Sequence, residues 1–377
     1  MTSAISCAFD SGAIEVVSGA ASGSAGDFVL RIRKDTHAEF RQWFHYRLSG
    51  ARELRCSMRL ENAGACTYPD GWKDYRAVAS YDRSRWFRVP TRYDGTALTI
   101  EHTPERDVVW YAYFEPYSLE RHQRLIGRTS DSPLARVERL GPSVEGRDID
   151  LVTVSAGASA LKTLWVIARQ HPGESMAEWF VEGMLERLLD RADPVARRLL
   201  ERATVHVVPN MNPDGSVLGN LRTNAAGANL NREWMSPSLE TSPEVFVVRK
   251  RLQQTGVDVF LDVHGDEALP YVFVAGGEML PGFSAEQARA QNDFVTAFKR
   301  ATPDFQDVHG YPAGKYNEDA LKLASKWVGH TYGCVSLTLE MPFKDNADLP
   351  DAEVGWNGER SRKLGAAVLE PLLLALS

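Results

Sequence analysis

The chain has 377 residues, a net charge of −7 and 44% hydrophobic residues, a composition typical of a globular protein with more than one core. Its charges form no long basic or acidic run, which argues against nucleic-acid and anionic-membrane partners and favours a small-molecule or peptide partner. We expect a cytoplasmic protein, because no apolar span reaches about 18 residues, no leader-like start is present, and the four cysteines form no CxxC pair.

The first third of the chain has the period-two alternation of short strands with one buried face. Apolar and polar residues alternate, or short apolar runs stand between turn sequences, at residues 28–33, 54–61, 77–81, 86–89, 98–100 and 108–114. Six or more short strands at this spacing predict an antiparallel β-sandwich. Its many aromatic residues are expected to fill the core, because such residues are favoured in strands and bury large areas.

The rest of the chain alternates between helix and strand patterns. Helices are predicted at 118–128, after the segment 171–174 and up to Leu189, and at 244–254, 285–299 and 359–376, the last with a kink at Pro371. Strands are predicted at 144–154, 164–168, 204–208, 257–263 and 334–339. This alternation predicts an α/β domain with a mixed sheet covered by helices on both faces.

The sequence His171-Pro172-Gly173-Glu174 lies where the apolar run 164–168 gives way to a helical pattern. In open α/β sheets, sites are built at the carboxyl ends of strands, and Pro172 and Gly173 turn the backbone so that His171 and Glu174 can converge. A His and a Glu at short spacing, with a distant second His, form the ligand set of catalytic zinc.

Nine histidines are present, and they compete to be that third ligand. His206 lies between valines in mid-strand, where a core residue is expected, and four others belong to or border the β-rich region: His37, His45, His102 and His122. His264 ends the apolar run 257–263, again at the carboxyl end of a strand. This position favours His264 and leaves His309 and His330 as alternatives.

Glu340 closes the predicted strand 334–339 and is followed by Met341-Pro342-Phe343. A carboxylate at an apolar strand end near a metal-bound water is the group needed to accept the proton of that water, although a surface glutamate is the alternative. Residues 210–234 form a long irregular segment that carries Arg222, Asn231 and Arg232. The arginine fork and the asparagine amide suit an anionic substrate, and a solvated loop is the alternative.

Four sequence segments occur in the following order along the chain: HPGES, NPDGSVLGNLR, NLNREW and SLTLEMPFKDN. They resemble the zinc metallocarboxypeptidases of the carboxypeptidase A fold, and most closely the cytosolic carboxypeptidase branch with its bacterial members. That branch also carries an N-terminal β-sandwich, so the resemblance implies a β-sandwich domain at residues 1–115 and a catalytic domain at 116–377. It implies a zinc-dependent enzyme that hydrolyses the last peptide bond of a peptide or protein tail.

The same resemblance implies roles for individual residues. One zinc ion per chain would be held by His171, Glu174 and His264, with Glu340 as general base and acid. Arg222 takes the place of the arginine that stabilises the oxyanion.

Asn231 and Arg232 match the pair that holds the terminal carboxylate of the substrate. The tyrosine that covers the substrate in this family is matched by Tyr316, with Tyr311 as the second choice. A basic side-chain pocket accompanies removal of acidic residues in this branch, and three lysines lie in the corresponding segment: Lys315, Lys322 and Lys326. We therefore expect a preference for C-terminal Glu or Asp.

Two other functions are compatible with parts of the pattern. A zinc amidohydrolase of the same fold, acting on N-acyl amino acids, would also bind a carboxylate, but the long N-terminal β region and the NPDG spelling favour a carboxypeptidase. A catalytically inactive, carboxypeptidase-like binding protein would not need Glu340 beside a complete ligand set.

Overall fold

The computed structural model describes residues 4–19, 26–157, 161–312, 314 and 317–376. Its N-terminal part is built of two five-stranded sheets, ordered β1-β4-β10-β6-β7 and β2-β3-β5-β9-β8. The strands are β1 Ala4–Ser6, β2 Glu15–Ser18, β3 Asp27–Arg31, β4 His45–Ser49, β5 Cys56–Leu60, β6 Val78–Ser80, β7 Phe87–Arg88, β8 Thr91–Tyr93, β9 Leu98–His102 and β10 Val108–Ala112.

These two sheets confirm the predicted sandwich. In β5 the side chains of Cys56, Met58 and Leu60 are buried, whereas the intervening Ser57 and Arg59 are partly exposed. The recorded strand pairs are antiparallel except for β3 and β5, which run parallel. Aromatic residues such as Tyr46 and Tyr111 fill the core, as expected. The sequence did not indicate β2, because this edge strand is exposed along its whole length and so has no apolar alternation.

The remaining residues form a seven-stranded sheet, ordered β11-β12-β14-β13-β15-β17-β16, with nine helices in the described part of the chain. The strands are β11 Ala135–Pro142, β12 Asp148–Val154, β13 Lys162–Ala168, β14 Ala203–Val208, β15 Val259–Asp266, β16 Phe273–Ala275 and β17 Val335–Pro342. The helices are α1 Leu119–Ser130, α2 Met176–Leu188, α3 Pro194–Arg202, α4 Pro213–Leu218, α5 Pro243–Thr255, α6 Ala285–Ala301, α7 Ala324–Tyr332, α8 Gly358–Ala367 and α9 Leu369–Ala375.

This sheet is mixed and is covered on both faces, as predicted. Strands β14, β13, β15 and β17 are parallel, and the outer strands pair antiparallel. Successive residues of β13 face opposite sides: Leu164 and Val166 join an apolar cluster with α2 and α9, whereas Trp165 and Ile167 join another with α5. Such burial on both faces explains why the central strands are continuous apolar runs.

Two predicted elements differ from the structure. Within the strand predicted at 144–154, residues 144–147 form the turn of a hairpin and only 148–154 form a strand, β12. The partner strand β11 escaped prediction because its sequence, ARVERLGP, carries charges along a partly exposed strand. The predicted C-terminal helix is broken into α8 and α9. Pro371 explains the break, because a proline has no N–H to donate and its ring clashes with the carbonyl four residues earlier, that of Ala367.

The N-terminal sheets pack tightly against the α/β part. The ring of Tyr113 stacks on that of Phe343 with centroids 4.5 Å apart. The buried guanidinium of Arg88 donates to the carbonyl oxygens of Phe343, Lys344 and Trp356. Apolar residues of both parts belong to one continuous buried cluster. The two parts are therefore joined by apolar packing and by buried hydrogen bonds.

Other features bear on stability. His122 of α1 is buried, with Nδ1 2.6 Å from Glu178 Oε1 on α2 and Nε2 3.0 Å from Asp150 Oδ2 on β12, which fastens the helix to the sheet.

The four cysteines are free thiols, of which Cys7 is partly exposed and the others are buried: Cys56, Cys66 and Cys334. No helix in the described ranges is long and apolar enough to cross a membrane.

Candidate metal and catalytic site

The first half of the site lies in the turn between β13 and α2. Arg169 adopts a left-handed conformation (φ 57°) and is buried, and its Nε donates to the carbonyl oxygen of Pro172 at 2.9 Å. Its Nη1 donates to Glu178 Oε2 at 2.7 Å. This buried ion pair holds the turn in the shape that directs His171 and Glu174 to one point.

The structure brings His171, Glu174 and His264 together. The two carboxylate oxygens of Glu174 lie 2.6 Å from His171 Nδ1 and 2.7 Å from His264 Nδ1, and the two Nδ1 atoms are 3.2 Å apart. All three residues are buried, and one potential ligand atom from each lies within 4.8 Å of the others. His309 instead stacks on Tyr271, with ring centroids 4.2 Å apart.

The donor atoms fit a zinc ion. His171 Nε2 lies 3.1 Å from Asn229 Oδ1, and His264 Nε2 lies 2.9 Å from Asp262 Oδ2. These oxygens favour a proton on each Nε2, which leaves the Nδ1 lone pairs facing each other. Two such lone pairs beside the Glu174 carboxylate call for a cation between them, and two imidazoles with one carboxylate form a catalytic zinc set.

The electrostatics of the site favour a positive charge at this point. Burial, together with the charge of Arg222, lowers the pKa of His171 to about 3 and so keeps its imidazole neutral. Burial also lowers the pKa of His264, but the carboxylates of Asp262 and Glu174 outweigh it, and the pKa is raised. Either a proton or a metal ion at the Nδ1 atoms supplies the charge that these carboxylates stabilise.

Glu340 lies on β17, directly across from His264 on β15. Its side chain is buried, and Oε1 accepts a hydrogen bond from the Tyr311 hydroxyl at 2.9 Å. Burial raises the pKa of Glu340 well above its usual value, and the carboxylate of Glu174 adds to this, against the lowering effect of His264. Oε2 has no hydrogen-bond partner within the described part of the chain. This oxygen is therefore available to accept a proton from a ligand or a water.

The expected substrate-covering tyrosine is only partly located. Tyr316, the first choice, lies outside the described residues. Tyr311, the second choice, has a half-exposed side chain whose hydroxyl lies 2.8 Å from Asp266 Oδ2 and 2.9 Å from Glu340 Oε1. Its ring packs edge-on against Phe273, with centroids 5.0 Å apart.

The anion-binding candidates line the same cavity, whose volume is about 1120 Å³. Arg222, Asn231 and Arg232 all contribute to its wall. Asn231 is fixed by the amide N–H of Ala324, which donates to its Oδ1 at 2.9 Å. Burial and the neighbouring charge of Arg222 lower the pKa of Arg232, so two guanidinium groups stand close together beside the metal ligands. Such a pair suits a ligand with more than one negative charge.

The three lysines occupy different places. Lys315 lies outside the described residues. Lys322 is exposed and pairs with Asp319 at 2.7 Å, away from the cavity wall. Lys326 is buried, lines the cavity and donates to the carbonyl oxygen of Gly276. Of the two described lysines, only Lys326 can face a substrate side chain.

Sequence reasoning missed several residues of the site. Glu267 is buried in the cavity wall, where burial and the charge of Glu174 raise its pKa to about 8; its only sequence signal is its position just after a strand-ending histidine. Tyr68 comes from the N-terminal sheets and also lines the cavity. Nothing in the local sequence of Tyr68 links it to a motif more than 100 residues away.

Comparison with known proteins agrees with this geometry. Residues 5–114 match the cytosolic carboxypeptidase N-terminal domain, and residues 127–354 match the zinc carboxypeptidase family. A metallo-carboxypeptidase from Burkholderia cenocepacia has a similar structure, with a TM-score of 0.97, 60% identity and 99% of each chain covered.

A metallo-carboxypeptidase from Pseudomonas aeruginosa, in complex with (2-guanidinoethylmercapto)succinic acid, has a TM-score of 0.95 and 46% identity, with 99% of this chain and 100% of that chain covered. Mouse cytosolic carboxypeptidase 6 is 27% identical over 352 residues, which are 84% of this chain and 63% of the mouse protein.

Proposed function

The chain belongs to the zinc carboxypeptidase family and is a metallocarboxypeptidase, and from this premise we propose that it uses zinc to remove acidic C-terminal residues from peptides or protein tails. The observation that carries the proposal is the convergence of two imidazole Nδ1 atoms and one carboxylate beside a cavity that also holds Glu340, Arg222 and Arg232.

His171, Glu174 and His264 would hold one zinc ion. Zinc bound there would polarise the scissile carbonyl and lower the pKa of water to about 7. The Nε2–H groups of His171 and His264 donate to Asn229 Oδ1 and Asp262 Oδ2, and these hydrogen bonds orient the two imidazoles for this task.

Glu340 moves the proton. Its Oε2 accepts a proton from the attacking water and delivers it to the amine that leaves, as a general base and then a general acid. Burial raises the pKa of Glu340, which makes its carboxylate a stronger proton acceptor. Arg222 faces the oxygen of the scissile carbonyl, where negative charge develops.

Asn231 and Arg232 hold the terminal carboxylate, which selects the end of the chain over internal bonds. The guanidinium fork of Arg232 can bind both carboxylate oxygens, and Asn231 adds an amide N–H. We assign the covering tyrosine to Tyr311, because its hydroxyl already lies 2.9 Å from Glu340 Oε1. Substrate would take this hydroxyl over as a hydrogen-bond donor.

The preference for acidic residues rests on Lys326. Its ammonium group is buried beside the cavity, and burial lowers its pKa. A substrate carboxylate bound next to it would form an ion pair and so stabilise the charged form of Lys326. Glu278 lines the same cavity, and its carboxylate raises the pKa of Lys326 against the effect of burial, which helps to keep the ammonium group charged.

We also propose the division of the chain into a β-sandwich domain at 1–115 and a catalytic domain at 116–377. The two family matches, which end at 114 and begin at 127, support this boundary. The match to a cytosolic carboxypeptidase domain supports a cytoplasmic location.

A peptide library that differs only in the last residue tests the proposal. Zinc-loaded protein should release single C-terminal Glu or Asp faster than Lys, Arg or apolar residues, as identified by mass. The same peptides with amidated C-termini are the control and should remain intact. Faster release of basic residues would contradict the acidic preference, and internal cleavage of the amidated peptides would contradict carboxypeptidase action.

A further inference from the structure

We infer that loops of the N-terminal part contribute to the catalytic apparatus, and that Asp35 is a positioning residue that fixes Arg222 for its work in the cavity. The inference rests on the proposed role of Arg222 at the developing oxyanion. It assigns a task to a residue that lies 187 positions before the segment it holds.

Asp35 grips the backbone around Arg222. Its Oδ1 accepts from the Leu221 N–H at 2.6 Å, and its Oδ2 accepts from the Arg222 N–H at 2.7 Å. The same Oδ2 accepts from the N–H and the hydroxyl of Thr223, at 3.0 and 3.1 Å. One buried carboxylate thus receives the N–H groups of three successive residues.

This contact compensates for the irregular backbone of the segment. Residues 219–229 lie outside helices and strands, so their buried N–H groups need partners from elsewhere in the protein. Burial raises the pKa of Asp35, and the hydrogen bonds it accepts lower it again. Burying a carboxylate is unfavourable unless it is hydrogen-bonded, so Asp35 is stable at this position only while those donors stay in place.

The same segment is tied to the metal turn. The N–H of Gly173 donates to the carbonyl oxygen of Leu221 at 2.9 Å. A Cβ atom at residue 173 would stand only 2.9 Å from that oxygen, so the close approach requires glycine there. Asp35 therefore holds Leu221, the residue whose carbonyl oxygen also contacts the turn from His171 to Glu174.

Two N-terminal aromatic rings hold the guanidinium itself. Arg222 Cζ lies 5.8 Å from the ring centroid of Phe40 and 5.5 Å from that of Tyr68, within the range of cation–π attraction. Tyr68 is fixed by Gln42, whose amide donates to the Tyr68 carbonyl at 3.0 Å and accepts from its N–H at 3.2 Å. Both the backbone and the side chain of Arg222 are therefore positioned by loop residues of the N-terminal part.

An Asp35→Asn variant breaks this grip with minimal change in volume. One oxygen becomes an NH₂ group, which must face the N–H of Leu221 or those of Arg222 and Thr223. Two donors repel each other, so the segment has to shift. A shift of about 1 Å at a catalytic group can cost about 10²-fold in rate.

The experiment compares Asp35→Asn and Phe40→Leu with Asp82→Asn in the full-length, zinc-loaded protein. Asp82 is the matched control, because its Oδ1 also accepts two successive backbone N–H groups, within its own exposed turn. Steady-state kinetics on an acidic peptide, zinc content and melting temperature are measured for each variant. Phe40 is partly exposed, so Phe40→Leu keeps a folded test available if Asp35→Asn does not fold.

We expect Asp35→Asn to lower kcat by at least about tenfold, and Phe40→Leu by a smaller factor, with KM and zinc content little changed, because an oxyanion contact acts in the transition state. Combined with Arg222→Ala, Asp35→Asn should cause little further loss. Wild-type kcat in both single variants, or a double variant whose loss is the product of the two single losses, would overturn the inference.

Hydrogen–deuterium exchange gives a readout that does not depend on turnover. Amides of residues 220–224 should exchange faster in Asp35→Asn and at the wild-type rate in Asp82→Asn. Unchanged protection of this segment in Asp35→Asn would overturn the inference, even if the wild-type enzyme cleaves peptides as proposed. A wild-type protein with no carboxypeptidase activity would refute the proposed function separately, and the exchange result would still decide whether Asp35 fixes the segment.

Discussion

Replacing Glu340 by Gln should abolish chemistry while leaving the metal site and the fold intact. The Gln side chain has nearly the same volume, and its carbonyl oxygen can still accept the Tyr311 hydroxyl, which lies 2.9 Å from Glu340 Oε1. Its NH₂ group replaces Oε2, which has no partner in the described ranges, so no existing hydrogen bond is lost. The variant also removes a buried negative charge near Glu174, so the free energy of unfolding should not fall.

The catalytic loss follows from the missing proton acceptor. General-base catalysis is worth roughly 10²–10⁴-fold, or about 3–5 kcal/mol of activation free energy. The assay is kcat for release of a C-terminal glutamate, followed by mass, together with zinc content by elemental analysis. Glu286→Gln, the same substitution at an exposed position in the first turn of α6, is the control and should stay within about threefold of wild-type kcat.

Two outcomes would refute this reasoning. Loss of zinc from Glu340→Gln would make Glu340 a metal ligand. Retention of most of the wild-type kcat would make it a bystander, and the proton would have to move through another group.

Three further predictions concern other groups. Arg232→Ala should raise KM for peptides with a free C-terminus by at least about tenfold while zinc content stays normal, because the charge-assisted contact to the carboxylate is lost. Tyr311→Phe should lower kcat/KM by about two- to tenfold, the worth of one hydrogen bond, and by more than Tyr316→Phe does. Burial lowers the pKa of His122, but the carboxylates of Glu178 and Asp150 outweigh this effect and raise the pKa to about 9. The stabilisation from this charged His122 should be complete below about pH 6.5 and lost as pH rises through about 9, a decrease of about 3 kcal/mol in the free energy of unfolding that His122→Gln should abolish.

The proximity of three candidate site residues was predictable because His171, His264 and Glu340 each lie at or just after the end of an apolar strand. Strand ends of a parallel sheet meet at one edge, so His171, His264 and Glu340 had to be near one another once those strands were recognised. Parallel pairing of β13, β15 and β17 in the structure provides this proximity.

The contributions of the N-terminal loops were not predictable from the sequence. Tyr68 lines the cavity, and Asp35 and Phe40 contact Arg222, through packing between two sets of elements far apart in the chain, and no local pattern records such packing. For a similar reason, the positions of the lysines in the sequence did not show which of them faces the cavity. Lys322 and Lys326 are four residues apart in the sequence, but only Lys326 is buried against the cavity. Helix α7 begins between them, at Ala324, so the two side chains do not share one helix face.

Edge strands and helix breaks also limited the prediction of the fold. Strand β11 lies at the edge of its sheet and carries charged residues, so it lacks the apolar signal of the central strands. The effect of Pro371 was anticipated as a kink, but the structure has two separate helices around Val368.

The most direct test of the central claim is to measure zinc content and peptide turnover in one preparation of the wild-type protein, before chelation, after chelation and after zinc is restored. The account predicts that release of a C-terminal glutamate disappears with the metal and returns in proportion to added zinc, up to one equivalent per chain. His264→Ala should neither retain that equivalent nor regain turnover, because a site with three protein ligands cannot readily lose one. Undiminished release of glutamate by protein shown to be free of metal would contradict the account.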